Sequence, residues 1–253
     1  MDQYIFGIDI GGTNIKLGLF KHESLMLVHK IEISTPKINQ RQSIFDVIVD
    51  SIEVILSEQN VSWDSIHGIG LAVPCPVTKG YIGKCPNLSW EQMDVVEEFR
   101  VLVPSHVSVS VANDANAAAL GEHGSKQQFG STCLFTLGTG IGGGIVVGGV
   151  ILEGSTGLGG EIGHMHIDDG ITETCGCGSR GCLEQVCGTK GILNETTRLA
   201  HLKPTSIDLK NLTVKAVFDA AKKNDQVGFE VVDKVAKYIA KAASIISVIV
   251  DPD

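Results

Sequence analysis

One imidazole and three thiols stand close together in the second half of this sequence. The stretch from Glu161 reads Glu-Ile-Gly-His-Met-His, and after a short interval Cys-Gly-Cys-Gly-Ser-Arg-Gly-Cys-Leu-Glu ends at Glu184. His164, Cys175, Cys177 and Cys182 form a Cys3His set, which zinc binds tetrahedrally with no open position, as in structural sites. A loop closed on such an ion would fix Glu161 and Glu184 at its two ends. Disulfides are the competing use of the thiols. Seven cysteines is an odd number, and the sequence opens without a signal-peptide pattern, so a secreted disulfide framework is not expected. Cys75, Cys85, Cys133 and Cys187 lack ligand spacing and read as small buried hydrophobes. His166, two residues from His164, is an alternative ligand.

Two glycine turns could bind anions. Asp9-Ile10-Gly11-Gly12-Thr13-Asn14 joins two β-rich runs, and Gly138-Thr139-Gly140-Ile141-Gly142-Gly143-Gly144 joins two more. Gly138-x-Gly140-x-x-Gly143 matches the dinucleotide fingerprint in letters, but a strand follows it where that fingerprint needs a helix. The Walker pattern is absent as well. What remains is a pair of tight turns with exposed N–H groups, able to cradle an anion without a helix, or to serve as ordinary hairpin turns.

A third candidate is Asn113-Asp114-Ala115-Asn116, which follows a strand and opens an alanine-rich helix. An Asn or Asp there can cap the helix. Three polar side chains in four positions exceed that need, and Asp114 at a strand end is placed to take a proton from a substrate hydroxyl.

The elements that must hold these groups follow from periodicity. Strands are expected at 4–9, 15–20, 66–73, 106–112, 133–137 and 145–147, with the glycines of 138–144 forming a turn. Helices are expected at 43–57, 91–101, 184–201, 213–223 and 226–249. The last would present Phe229, Val232, Val235, Ile239, Ala243 and Ile246 on one face. The repeated strand–turn–strand theme predicts two related α/β lobes, 1–112 and 113–253, joined by a hinge and not a tether.

Composition narrows the partners. A net charge of -9 with no basic run makes nucleic acid a poor partner, and no apolar stretch is long enough to span a bilayer. The expected location is the cytoplasm. Thirty glycines, clustered and not scattered, imply close backbone approach at a few places.

Together Asp9 to Lys16, Asn113 to Asn116, Leu137 to Gly144, Glu161-x-Gly163-His164 and the Cys175 to Glu184 segment resemble the ROK (repressor, open reading frame, kinase) family of sugar kinases. The resemblance runs through nearly the whole chain. It implies an α/β actin-like ATPase fold of the ribonuclease H type, with ATP and sugar in a cleft between two lobes. It further implies that Asp9, Gly11, Gly12, Thr13 and Lys16 face the ATP phosphates, with Asp9 holding Mg²⁺ through water, and that Gly138, Thr139 and Gly140 form the second phosphate turn. Asp114 is then the general base, Asn87, Asn113, Glu161, His164 and Glu184 bind the sugar, and the four-ligand set holds a structural Zn²⁺. His164 serves twice, one ring nitrogen on the metal and the other toward a hydroxyl.

The implied activity is ATP-dependent phosphorylation of a hexose, glucose to glucose 6-phosphate, by a homodimer. N-acetylmannosamine, allose or fructose are alternative acceptors. The family's sugar-responsive repressors carry a winged helix ahead of the fold, for which the strand beginning at Tyr4 leaves no room. Family members continue past the position of Asp253 through an adenosine-binding turn and a closing helix. The expectation is therefore a C-terminal lobe cut short, with a non-catalytic sugar-binding remnant as the competing reading.

Overall fold

Alternating apolar residues on both sides of the first glycine turn pair as an antiparallel ribbon. In the computed structural model, which describes residues 3–36, 41–125 and 130–253, β1 (Tyr4–Ile10) lies against β2 (Asn14–Lys21), with Asp9 opposite Lys16 and Ile10 opposite Ile15. β3 (Leu27–Ser34) extends the ribbon. Hydrophobic periodicity missed β3 because, as an edge strand, it has no fully buried position. α1 (Arg41–Gln59) returns the chain to β4 (Ile66–Val73). A small ribbon of β5 (Val77–Thr78), β6 (Tyr81–Ile82) and β7 (Met93–Asp94) intervenes. α2 (Val95–Arg100) and β8 (Ser108–Asn113) follow.

β4 runs parallel to β1 and β8 parallel to β4, giving a five-stranded sheet of order β3-β2-β1-β4-β8. Its core sets Phe6, Ile8, Leu17 and Leu19 among the buried side chains of α1, Ile48, Ile52 and Ile55. Phe45 packs edge-on to both Trp90 and Phe99 with ring centroids 5.3 Å apart, a geometry worth about 0.5–1.5 kcal/mol per pair beyond burial. α2 is shorter than the expected 91–101 helix. Asp94 ends β7 and accepts the Glu97 N–H at 2.9 Å, so the helix cannot begin before Val95.

α3 (Asp114–Ser125) leads to β9 (Ser131–Leu137), β10 (Ile141–Val147) and β11 (Val150–Ile151), a three-stranded antiparallel sheet. Here the turn is tighter than the glycine run suggested. Gly142, Gly143 and Gly144 are not turn residues but lie within β10, opposite Thr136, Phe135 and Leu134. Packing explains the glycine at 143, where a Cβ would fall 2.2 Å from the Ile162 side chain.

α4 (Leu183–Cys187), α5 (Thr189–Ala200), α6 (Val214–Lys222) and α7 (Gln226–Val250) complete the chain. The single helix expected over 184–201 is broken at Gly188, which is extended (φ -74°, ψ 164°). The buried stripe of α7 keeps Val235 and Ile246 of the expected one and differs at its other positions. Val227, Val231, Val235, Ala242 and Ile246 face inward, and Phe229 is 61% exposed.

Internal contacts divide the chain into two compact units, Met1–Ala117 with Glu153–Gly159, and Ala118–Leu152 with Gly160–Asp253. Each has its own core. Among the described residues no helix is long and apolar enough to cross a membrane.

Candidate functional site

The parallel strands β1, β4 and β8 end on the same edge of the first unit's sheet, with Asp9 beside Ala72 and Val73 beside Asn113. Carboxyl ends of parallel strands are where α/β sheets place their ligands, because loops there are free of ladder duty. Asp9 sits at this edge with Lys16 3.8 Å away, both half exposed or more. The turn between them is pinned from outside. Gly11 N–H donates to Asn14 O at 3.0 Å, while Thr35 donates its hydroxyl to Gly11 O at 2.6 Å and its N–H to Thr13 O at 2.8 Å. Thr35 was invisible to sequence reasoning, since its place beside the turn is fixed only by the pairing of β3 with β2.

Asn113, not Asp114, caps α3. Its Oδ1 accepts from Ala115 N at 2.9 Å and Asn116 N at 3.1 Å, and its Nδ2 donates to Cys75 O at 3.4 Å. Two capping bonds from one residue release Asp114 from that task. Asp114 receives the Ala115 N–H on Oδ1 at 2.7 Å and remains open to solvent. The protein packed around it nevertheless removes enough water to push its pKa up, and the Asp9 carboxylate adds to the rise. Asn116, which follows, is 5% exposed, and its Oδ1 has no hydrogen-bond partner among the described residues.

Asn87 lies in a one-turn 3-10 segment, Pro86–Leu88, closed by Ser89 in the left-handed region (φ 55°). Cys85 and Trp90 exchange backbone hydrogen bonds at its base. A Cβ on Gly12 would meet Asn87 O at 2.8 Å, so only glycine lets this segment rest against the first glycine turn.

In the second unit, the short turn Gly138–Gly140 is held by residues beyond the cysteine loop. Glu184 accepts the Ile141 N–H through Oε2 at 3.0 Å. Thr189 donates its hydroxyl to Gly138 O at 2.9 Å and its N–H to Thr139 O at 3.1 Å. Gly140 has no room for a side chain, since a Cβ would stand 2.0 Å from Glu184 Oε2. Thr189, like Thr35, carries no sequence signal for this role. A cavity of about 870 Å³ runs from Thr139 and Glu184 past Cys175 to Lys190 and Lys234.

The four proposed metal ligands converge. One ligand atom from each of His164, Cys175, Cys177 and Cys182 lies within 4.8 Å of all the others. Cys177 Sγ is 3.7 Å from Cys182 Sγ, and Cys175 Sγ is 3.6 Å from His164 Nδ1. A zinc tetrahedron with Zn–S bonds of about 2.3 Å has S···S edges of roughly 3.8 Å, so the donor set fits that ion in type and spacing. His164 closes a 3-10 turn, Ile162–His164, whose start is marked by Glu161 O accepting the His164 N–H at 3.0 Å. His166 stands apart from the cluster. Its Nδ1 contacts Arg180 O and its Nε2 contacts Asp169, both at 2.8 Å. Two acceptors favour the doubly protonated ring, and its pKa is raised, by Asp169 first.

The ROK family profile matches residues 5–253. A glucokinase of Halalkalibacterium halodurans is 35% identical over 262 residues, covering 100% of this chain and 78% of the relative. A xylose repressor of Bacillus spizizenii is 29% identical over 232 residues, covering 88% of this chain and 55% of the repressor. Among solved structures, a ROK hexokinase from Thermus thermophilus superposes with a TM-score of 0.81 at 29% identity, over 99% of this chain and 79% of that one. A ROK family glucokinase from Streptomyces griseus, in complex with glucose and AMPPNP, gives 0.73 at 27% identity, over 98% and 80%. With these neighbours the chain shares the actin-like ATPase fold.

Proposed function

This chain belongs to the ROK family, and from that premise we propose that it is a hexose kinase that transfers the γ-phosphoryl group of ATP to a sugar hydroxyl, glucose being the acceptor. Similarity to named glucokinases and to a structure holding glucose and AMPPNP supports the reaction class. The observation that carries the reading is Asp114, relieved of capping by Asn113 and raised in pKa at the carboxyl end of the sheet.

In this reading Asp114 accepts the proton of the attacking hydroxyl. Its pKa is raised toward working pH by burial, the direction that strengthens a carboxylate as a general base. In the first unit Asn87 and Asn113 bind hexose hydroxyls, Asn113 through the second hydrogen of Nδ2. In the second, Glu161, Glu184 and His164 do the same. His164 turns Nδ1 toward Cys175 and so keeps Nε2 for a hydroxyl. Glu184 retains Oε1, because Oε2 is engaged with Ile141.

The turn at Gly11, Gly12 and Thr13, with Lys16, faces the nucleotide phosphates, and the turn at Gly138, Thr139 and Gly140 is the second phosphate turn. Asp9 would hold Mg²⁺, which suits a site of one carboxylate completed by phosphate oxygens and water. When bound, that ion neutralises charge on the phosphates, as phosphoryl transfer demands. His164, Cys175, Cys177 and Cys182 would hold Zn²⁺ as a clamp on the segment from Glu161 to Glu184, outside the chemical step.

A coupled assay of ATP consumption against glucose, N-acetylmannosamine, allose and fructose tests this reading, with Asp114→Ala alongside. Turnover with glucose that the variant abolishes, while glucose still binds, is the expected result. Binding of a sugar with no turnover of any hexose would instead favour a sugar-binding protein, the function class suggested by the xylose repressor relative.

A further inference from the structure

His164, Cys175, Cys177 and Cys182 all lie in one segment, so an ion bound among them would close that segment on itself. Such a closure fixes internal shape. It does not fix where the segment sits on the rest of the second unit, and the direction of His164 and Glu184 depends on that placement.

Apolar packing supplies part of it. Ile162 packs with Ile145 and Ile246, while Ile167 and Leu183 join the core of Ile141 and Val231. These contacts are non-directional, so register has to come from polar bonds added to them. Two such bonds come from α7. Tyr238 donates its hydroxyl to Asp168 Oδ2 at 2.5 Å, and Lys241 donates to Ile167 O at 2.7 Å. Three residues apart, the donors share one face of the helix and meet two consecutive residues of the segment. The phosphoryl-transfer reading gives neither donor a task.

Asp168 is set to receive the hydroxyl. Its Oδ1 accepts from Gly170 N at 2.8 Å, and the bond from Tyr238 holds its carboxyl below the usual carboxylate range. From there the constraint passes along the backbone. Ile167 N and Asp168 N both donate to Gly181 O, at 2.7 and 3.2 Å, and His166 pairs with Cys182. Leu183 N donates to Met165 O at 3.0 Å, which joins the immediate neighbours of Glu184 and His164. A Cβ on Gly181 would stand 2.3 Å from Asp168 O, so the two backbones touch directly.

We infer that Tyr238, assisted by Lys241, is a positioning residue for hexose binding: through Asp168 it holds residues 165–168 and 181–183 on α7 and so sets His164 and Glu184, a task separate from that of the metal. The consequence for the hexose rests on the proposed site, whereas the anchoring does not.

The zinc-loaded full chain carrying Tyr238→Phe tests this, because the variant keeps the ring and loses only the hydroxyl. Amide exchange read by mass spectrometry should be about tenfold faster over residues 167–170, with zinc content equal to that of the parent. Glucose Kd by calorimetry and KM should rise about tenfold with kcat within about twofold, a size that one lost hydrogen bond to a charged group can transmit. A merely structural bond would lower the melting temperature and leave Kd and KM, measured well below it, unchanged. Asp168→Asn keeps an acceptor for the hydroxyl and should fall between the parent and Tyr238→Phe. Lys241→Ala, at an exposed position, carries the same test through Ile167 if Tyr238→Phe does not fold. Unchanged exchange over 167–170, or unchanged Kd and KM, would overturn the proposal. Loss of zinc in step with affinity would also overturn it, since the effect would then pass through the metal. A parent protein that binds no glucose would count against the hexose reading, and exchange over 167–170 would still decide the anchor.

Discussion

Glu184 Oε2 lies 3.0 Å from the Ile141 backbone N–H, so the carboxylate that follows the cysteine loop also braces the second glycine turn. Replacing it should therefore produce two separable effects. Glu184→Gln keeps an acceptor for Ile141 and should melt close to wild type, yet lose hexose affinity by about 10²-fold or more, because the proposed site loses the carboxylate assigned to a hydroxyl. Glu184→Ala should lose the affinity and also about 1–3 kcal/mol of stability from the orphaned N–H. Thermal melts and glucose calorimetry on both variants separate the two roles, and equal melting points would show that the bond to Ile141 contributes nothing.

Gly140→Ala should act through the same carboxylate. A methyl group 2.0 Å from Glu184 Oε2 must expel that side chain from its position. Hexose affinity is expected to fall nearly as far as in Glu184→Ala, and combining the two changes should add little. Full additivity in a double-mutant cycle would mean that the turn and the carboxylate act independently.

In the proposed reaction Asp114 links activity to pH and to stability in opposite senses. Its folded pKa is raised, so the acidic limb of kcat/KM should lie above the ordinary aspartate value of about 3.9, and Asp114→Asn should lower kcat by about 10²–10⁴. Folding favours the protonated form of a group shifted in this direction. Its stabilising contribution is present below the unfolded pKa and lost as pH rises through the folded one. At neutral pH the charge is a liability, kept modest by its solvent access, and Asp114→Asn should melt no lower than wild type. The gap should close as pH falls below the aspartate range. A variant less stable at pH 7 than the parent would contradict this account.

Metal removal gives an independent check on the Cys3His cluster. Chelation should lower the melting temperature and hexose affinity together, since coordination and folding of the segment from Glu161 to Glu184 are linked. Cys177→Ser should reproduce the loss with a metal content below one zinc per chain. Unchanged stability after complete removal of zinc would mean that the ion is not a clamp.

The groups legible in the sequence were those whose partners are near in the chain. The cluster donors His164, Cys175, Cys177 and Cys182 could be read because three of the four lie in one short loop, and ligand chemistry restricts what such a set can bind. β1, β2 and β4 were legible because a half-buried or buried strand repeats at short range. The same reasoning misjudged residues 141–144, whose glycines look like turn but pair within β10, where Gly143 packs against Ile162. It also misjudged α7, where Phe229 faces outward. Local periodicity cannot say which of two neighbouring apolar stripes meets the core.

By itself, the sequence determined which chemical groups are available, two glycine turns, a strand-end aspartate and a Cys3His set, because residue type and short spacing are local properties. Tertiary structure alone decided how those groups are shared out. Asn113 takes the capping bonds and frees Asp114, Thr35 and Thr189 hold the glycine turns, and Glu184 braces the second of them through Ile141. Each of those pairings depends on strand register or helix placement, which bring together residues that carry no mark of one another along the chain.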